Sequence, residues 1–211
     1  MNQTSQKGIL PSQELKQAIE SQFISSAQKI LDNQIQPASI DLRLDATAYR
    51  VRASFLPGDK STVKEKLKNI TMHKIDLTNG AVLEKGCVYI VPLQERLNMP
   101  LNISGMANPK SSTGRLDIFT RVITDKAIEF DRISPGYVGP LYAEISPLTF
   151  SVLVYQGSRL SQLRLRRGSF SATDGITFTV DLRGFKVGQK QNRIVGYKAK
   201  QHAGIINIKN I

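Results

Sequence analysis

A chain of 211 residues is long enough to fold as one domain around a sizeable core. Its 29 lysines and arginines against 17 aspartates and glutamates leave a formal charge of +12, which favours anionic partners over cationic ones. One cysteine excludes an internal disulfide, and with only two histidines the chain lacks the three or four ligands of a zinc site built on Cys and His.

No apolar run is long enough to span a bilayer. The polar start Met1–Lys7 leads into no apolar signal region, so the expected location is the cytoplasm. The basic residues are spread along the chain. Their densest stretches, 60–68 and 159–167, are not interleaved with stacking aromatics, so nucleic acid is not the favoured partner. A solvated basic surface accounts for the charge as well as a nucleotide partner does.

The first predicted element is a short helix over Ser12–Ile19, started by Pro11 and Ser12, with Leu15, Ala18 and Ile19 on its apolar face. The turn-rich run Gln34–Ser39 leads into Ile40–Leu44, which alternates with the period of a strand. Residues 54–69 hold the turn Pro57–Asp59 and then a charged helical stretch. From residue 70 strands dominate, at 72–77, 88–92, 141–145, 150–155, 160–165, 176–180 and 205–208. Turn signals fall between them at Gly80, Gly86, Gly136, Gly157, Gly168 and Gly184. Cys87 lies in the apolar run Gly86–Pro92 and reads as a buried core thiol. Short strands at this spacing imply a mainly β fold, a barrel or jelly roll with a few short helices. No linker or internal repeat divides the chain, so it reads as a single domain, 1–211, with a helical lead-in at 1–35 and a tail at 185–211.

Three segments carry chemistry. Lys110-Ser-Ser-Thr-Gly-Arg115 reads as a helical turn with two hydroxyls between two cations, a grip for phosphate. An ordinary capped turn has the same composition. Arg132-Ile-Ser-Pro-Gly-Tyr-Val-Gly139 is a turn whose glycines permit a close backbone approach to a ligand, or a plain hairpin. In Leu141-Tyr-Ala-Glu-Ile145, alternation places Leu141, Ala143 and Ile145 on one face and Tyr142 with Glu144 on the other. A carboxylate sheltered there could carry protons near neutral pH; one facing solvent could not.

Together these segments resemble the dCTP deaminase family, within the dCTP deaminase/dUTPase superfamily. Gln36–Leu44 resembles its early strand, Lys110–Arg115 its phosphate-binding motif, Arg132–Gly139 its hairpin, Glu144 its catalytic glutamate and Leu160–Leu163 a later strand. The likeness spans about residues 9–165 and is nearest to a longer subgroup, common in α-proteobacteria, in which two such domains are joined. It implies a distorted jelly-roll β barrel, a homotrimer or a pairing with a second deaminase-like half, and active sites between subunits. The activity implied is hydrolytic deamination of dCTP to dUTP and ammonia without a catalytic metal, Mg²⁺ entering on the triphosphate. Glu144 would shuttle protons, and Ser111 and Arg115 would orient water and stabilise charge. Lys110, Ser112 and Arg115 would hold phosphates. Arg132 and Ser134 would lie beside the pyrimidine and sugar, and the backbone of Tyr142 to Glu144 would read the base. Lys198, Lys200 and Gln201 of the tail would cover the phosphates. Lys110 stands where the family motif has arginine. Ser134 stands where dUTPases keep a base aspartate, which disfavours dUTP hydrolysis. A dUTP diphosphatase, a bifunctional enzyme, or a barrel that binds nucleotide or nucleic acid without turnover are the alternatives.

Overall fold

The computed structural model of the protein describes residues 7–168 and the strand backbones at 185–187, 190–192 and 205–207. In chain order the first elements are β1 (Gly8–Ile9), α1 (Ser12–Glu20), β2 (Ile24–Ser26), a single 3-10 turn at Asp32–Gln34, β3 (Ile35–Gln36), β4 (Ser39–Leu42) and β5 (Thr47–Val51). There follow α2 (Val63–Ile70), β6 (Thr71–Asp76), β7 (Ala81–Leu83), β8 (Val88–Asn98), β9 (Ile103–Pro109) and α3 (Ser111–Arg115). The remainder are β10 (Ile118–Thr124), β11 (Arg132–Ile133), β12 (Val138–Pro147), β13 (Ser151–Val154), β14 (Ser161–Arg167), β15 (Phe185–Val187), β16 (Lys190–Asn192) and β17 (Ile205–Asn207). The expected helices and most expected strands are present. The strand expected at 176–180 lies outside the described residues.

Two six-stranded sheets dominate. The first runs β11-β9-β14-β4-β3 with β1 also on β14; the second runs β10-β12-β8-β5-β6 with β2 also on β8. β13 joins β7 and β17 in a smaller sheet, and β15 pairs with β16. The architecture is mainly β and jelly-roll-like, but the sheets stay open instead of closing into the expected barrel. Among the described residues no strand is shared between the two large sheets.

The core follows from strand alternation. Ile40, Leu42, Ala107, Leu163 and Leu165 of the first sheet face Tyr89, Val91, Leu93, Val122, Leu141, Ala143 and Ile145 of the second in one cluster. The other face of the second sheet carries a smaller cluster of Ile90, Ile123 and Tyr142, roofed by Val63 and Leu67 of α2 and joined by Phe130. Thr62 starts α2 through a capping box with Glu65, whose carboxylate accepts the Thr62 N–H at 2.8 Å. Cys87 is half-buried against the main core, not enclosed in it as expected.

Three of the longer strands depart from the sequence pattern. β8 continues to Asn98, past Pro92, where the pattern ends it. Pro92 lies opposite Tyr142, next to a register shift between Pro140 and Tyr142, and such an irregularity accommodates a residue with no N–H to donate. β9 and β10, where the sequence pattern shows no strand, pair with β14 and β12 over seven residues each.

Candidate active site

Glu144 lies at the centre of the second sheet, opposite Arg121 of β10 and Ile90 of β8. It is 2% exposed, which rules out the solvent-facing alternative. Arg121 crosses to it, its Nε 3.1 Å and its Nη2 2.5 Å from Oε1. The same Nη2 donates to Ser54 Oγ at 2.9 Å. The guanidinium carbon Cζ lies 3.5 Å from the Phe130 ring centroid and 4.7 Å from that of Phe119, within cation–π range of both. Glu144 Oε2 is buried and has no hydrogen-bond partner among the described residues. A carboxylate held by one oxygen, with the other bare, can accept a proton from a small molecule brought against it.

A second carboxylate belongs to the same cluster. Asp131 sits in left-handed backbone, at φ +64°, and its Oδ1 accepts the Val122 N–H at 2.7 Å. Burial pushes its proton affinity up to about 6; the Val122 N–H and the Arg121 charge oppose that rise, while the charge of Glu144 adds to it.

The 110–115 segment forms the expected helical turn. Its start and middle are tied to Leu160, whose carbonyl accepts both the Lys110 N–H and the Thr113 hydroxyl at 2.9 Å. Thr113 is thereby buried, Ser111 and Arg115 are left exposed, and Ser112 is half-buried. α3 has five residues, too few for a strong dipole, so an anion there would be held by side chains. Lys110 is ion-paired to the buried carboxylate of Asp41. Lys110, Ser111, Ser112 and Arg115 line a cavity of about 270 Å³ with Asp41 and Gln162.

The remaining expected residues lie elsewhere. Arg132 and Ser134 line a cavity of about 580 Å³ with Asp125 and Tyr137, and Arg132 is paired with Glu129 at 2.8 Å. Gly136 turns at φ +73°, where Leu101 would block a Cβ. The Tyr137 hydroxyl donates to the Pro140 carbonyl at 2.6 Å and accepts the Asp125 N–H at 3.1 Å, and burial raises it to about 12. Tyr142 lines a third cavity of about 600 Å³ with Tyr49, Arg96 and Asp125, and its hydroxyl is likewise raised to about 12 by burial. The backbone of Tyr142, Ala143 and Glu144, expected to read a base edge, is flanked by ladders to β8 and β10 on both sides. In this sheet those groups serve strand pairing, and it is their side chains that differ in what they offer. Lys198, Lys200 and Gln201 lie outside the described residues.

One chain therefore holds the hydroxyl-and-cation turn, the buried carboxylate and the hairpin at separate positions; none of the three cavities above includes Glu144. Sequence reading missed Arg121 and Asp41 as partners of Glu144 and Lys110. Arg121 stands in the alternating run Phe119-Thr-Arg-Val122, an outward-facing position, but only the strand register sets it against Glu144. Among the described residues no group of three His, Cys, Asp or Glu side chains converges as metal ligands.

Comparison with known proteins agrees in both sequence and fold. Residues 6–169 match the family model of the 2'-deoxycytidine 5'-triphosphate deaminase N-terminal domain, and 156–211 match that of its C-terminal domain. The crystal structure of 2'-deoxycytidine 5'-triphosphate deaminase from Agrobacterium tumefaciens is 47% identical and superposes with a TM-score of 0.80, covering 96% of this chain and 66% of that one. A dCTP deaminase of Halorubrum lacusprofundi is 28% identical over 135 residues, 63% of this chain and 64% of the relative. A protein of Coprothermobacter proteolyticus named "dCTP deaminase, dUMP-forming" is 28% identical over 133 residues, 63% of this chain and 68% of the relative. The chain thus spans just under two thirds of the length of the first and of the solved relative.

Proposed function

The chain belongs to the dCTP deaminase family, and on that premise we propose that it hydrolyses dCTP to dUTP and ammonia. The observation that carries this reading is Glu144: a strand carboxylate out of water, held through Oε1 and bare at Oε2. Water attacks C4 of the cytosine ring and gives a proton to Glu144. Glu144 passes that proton to ring N3; the hydroxyl now on C4 gives up its own proton, which Glu144 carries to the amine, and the C4–N bond breaks so that a carbonyl stands at C4 and ammonia leaves. Ser111 and Arg115 orient the water and offset the charge that develops, and Lys110, Ser112 and Arg115 hold the triphosphate. Arg132 and Ser134 lie on the pyrimidine and sugar side. Lys198, Lys200 and Gln201 close over the phosphates, whose charge Mg²⁺ shares when it enters with the nucleotide. The chemistry at the ring rests on side chains rather than on a resident metal.

The separate placement of the turn, the carboxylate and the hairpin supports a site completed by a second subunit. A homotrimer, or pairing with a second deaminase-like half, would bring one chain's 110–115 turn against another's Glu144. No helix among the described residues is long and apolar enough to cross a membrane, and a cytoplasmic place suits a free nucleotide substrate.

A second reading, formation of dUMP, is favoured by the name of the Coprothermobacter relative. Product analysis separates the two. Incubated with dCTP and Mg²⁺, the assembled protein should release ammonia and dUTP in equal amounts; dUMP with pyrophosphate would establish the second reading. Glu144→Gln should lower deamination at least about 10²-fold while dCTP still binds. Binding of dCTP with no ammonia from the unaltered protein would mark a barrel that binds without turnover.

A further inference from the structure

We propose that Arg121 is a positioning residue for the reaction: it fixes Glu144 by Oε1, so that Oε2 alone is presented for proton transfer. The proposal rests on the deaminase reading and adds to it a residue outside the Lys110–Arg115 and Arg132–Gly139 segments.

The geometry is one-sided. Both guanidinium bonds to Glu144 go to the same oxygen, at 3.1 and 2.5 Å, and none goes to Oε2. A bidentate arginine pair ordinarily engages both carboxylate oxygens, and such a pair would draw electron density from both, leaving neither oxygen unengaged. Here the guanidinium is prevented from sliding into that arrangement. Ser54 accepts from Nη2 at its outer edge, and the Phe119 and Phe130 rings lie over its plane. Phe119 stands two residues before Arg121 and on the same side of β10, so the strand itself builds the niche.

Burial makes the bare oxygen consequential. An unpaired lone pair on a buried ionised carboxylate is costly and is tolerated where a ligand supplies the missing donor. Attacking water and the leaving amine are donors of that kind. Asp131 makes the choice of cation matter. Its carboxylate lies near enough to feel both Arg121 and Glu144, and Arg121 is the cation among those three groups. Lysine could supply the charge but not the plane, the fork or the third bond to Ser54.

The test uses the whole assembled protein and steady-state deamination of dCTP, with melting temperatures of each variant. Loss of aim at Glu144, with charge kept, should cost Arg121→Lys about 10²-fold in kcat, the scale of a misplacement near 1 Å. KM should stay within about threefold, since a residue that acts only through Glu144 contributes no binding contact of its own. Arg121→Ala should lose more, and free guanidinium ion should restore part of its kcat. Should Arg121→Ala fold poorly, Arg121→Lys and Arg121→Gln carry the comparison. The proposal is overturned if Arg121→Lys keeps kcat within twofold, if KM rather than kcat moves, or if the loss only tracks the fraction unfolded at the assay temperature. Absence of ammonia from the unaltered protein would remove the deaminase reading itself, and with it this proposal, a result distinct from an active protein indifferent to residue 121.

Discussion

Lys110 closes onto Asp41 of β4, a carboxylate that is 1% exposed and whose Oδ1 has no partner among the described residues. The hydroxyl-and-cation turn is thus bound by its first cation to the strand that carries the Ile40–Leu44 pattern. The pair is asymmetric, because Lys110 keeps 29% side-chain exposure and Asp41 almost none.

That asymmetry fixes the order of two variants. Lys110→Met leaves a buried carboxylate without its cation and should cost roughly 2 kcal/mol, less than breaking a fully buried pair because the lysine is partly solvated. Asp41→Asn removes the buried charge itself and should cost less, about 1 kcal/mol. Urea unfolding of both variants and of the double variant measures this. Equal costs, or a greater cost for Asp41→Asn, would refute it.

Asp131 predicts a pH dependence of stability. Its carboxyl titrates near 3.9 in an unfolded chain and is pushed up to about 6 in the fold, chiefly by burial. Between those values the folded protein holds a proton that the unfolded chain has released. Its contribution is therefore fully present below about pH 4 and is lost as pH rises through about 6. A shift of about two units corresponds to about 3 kcal/mol at most, reduced by the solvent that still reaches the group. Asp131→Asn keeps an oxygen for the Val122 N–H and tolerates the left-handed backbone. It should flatten this part of the thermal stability profile between pH 4 and 6 and raise stability at pH 7 by about 1 kcal/mol. A variant with an unchanged slope would show that Asp131 is not the group responsible.

Two glycines should respond in opposite directions. A Cβ on Gly139 would lie 2.6 Å from the Tyr137 hydroxyl, which is already held by the Pro140 carbonyl and the Asp125 N–H. Gly139→Ala must displace that hydroxyl and should cost about 1–3 kcal/mol, with faster hydrogen exchange at the Asp125 amide. A Cβ on Gly114, inside α3, meets nothing within 4 Å. Gly114→Ala should stabilise by up to about 1 kcal/mol. Denaturant melts of the pair suffice, and a stable Gly139→Ala would contradict the contact.

The elements most legible in the chain are those whose signals are local. α1 follows from Pro11, Ser12 and the spacing of Leu15, Ala18 and Ile19, and the 110–115 turn from its hydroxyls and cations. The alternation around Glu144 also reads correctly, with Leu141, Ala143 and Ile145 in the main core and Tyr142 on the other face. β9 is illegible locally because Ser104, Gly105, Met106 and Ala107 carry little strand preference and are held by their pairing with β14. The pattern of β8 stops at Pro92 because proline ends a strand locally, whereas here a shift in the neighbouring strand admits it.

By itself the sequence determined the mainly β class, the hydroxyl-and-cation turn and the side of the strand on which Glu144 lies. These depend on composition, short spacing and period, which are properties of neighbours along the chain. Only the tertiary structure decided that Glu144 is enclosed, that Arg121 holds it by one oxygen, and that Asp41 occupies Lys110. Register between strands and burial arise from residues distant in the chain, and a side chain's electrostatic surroundings are set by those, not by the order in which it is joined to its neighbours.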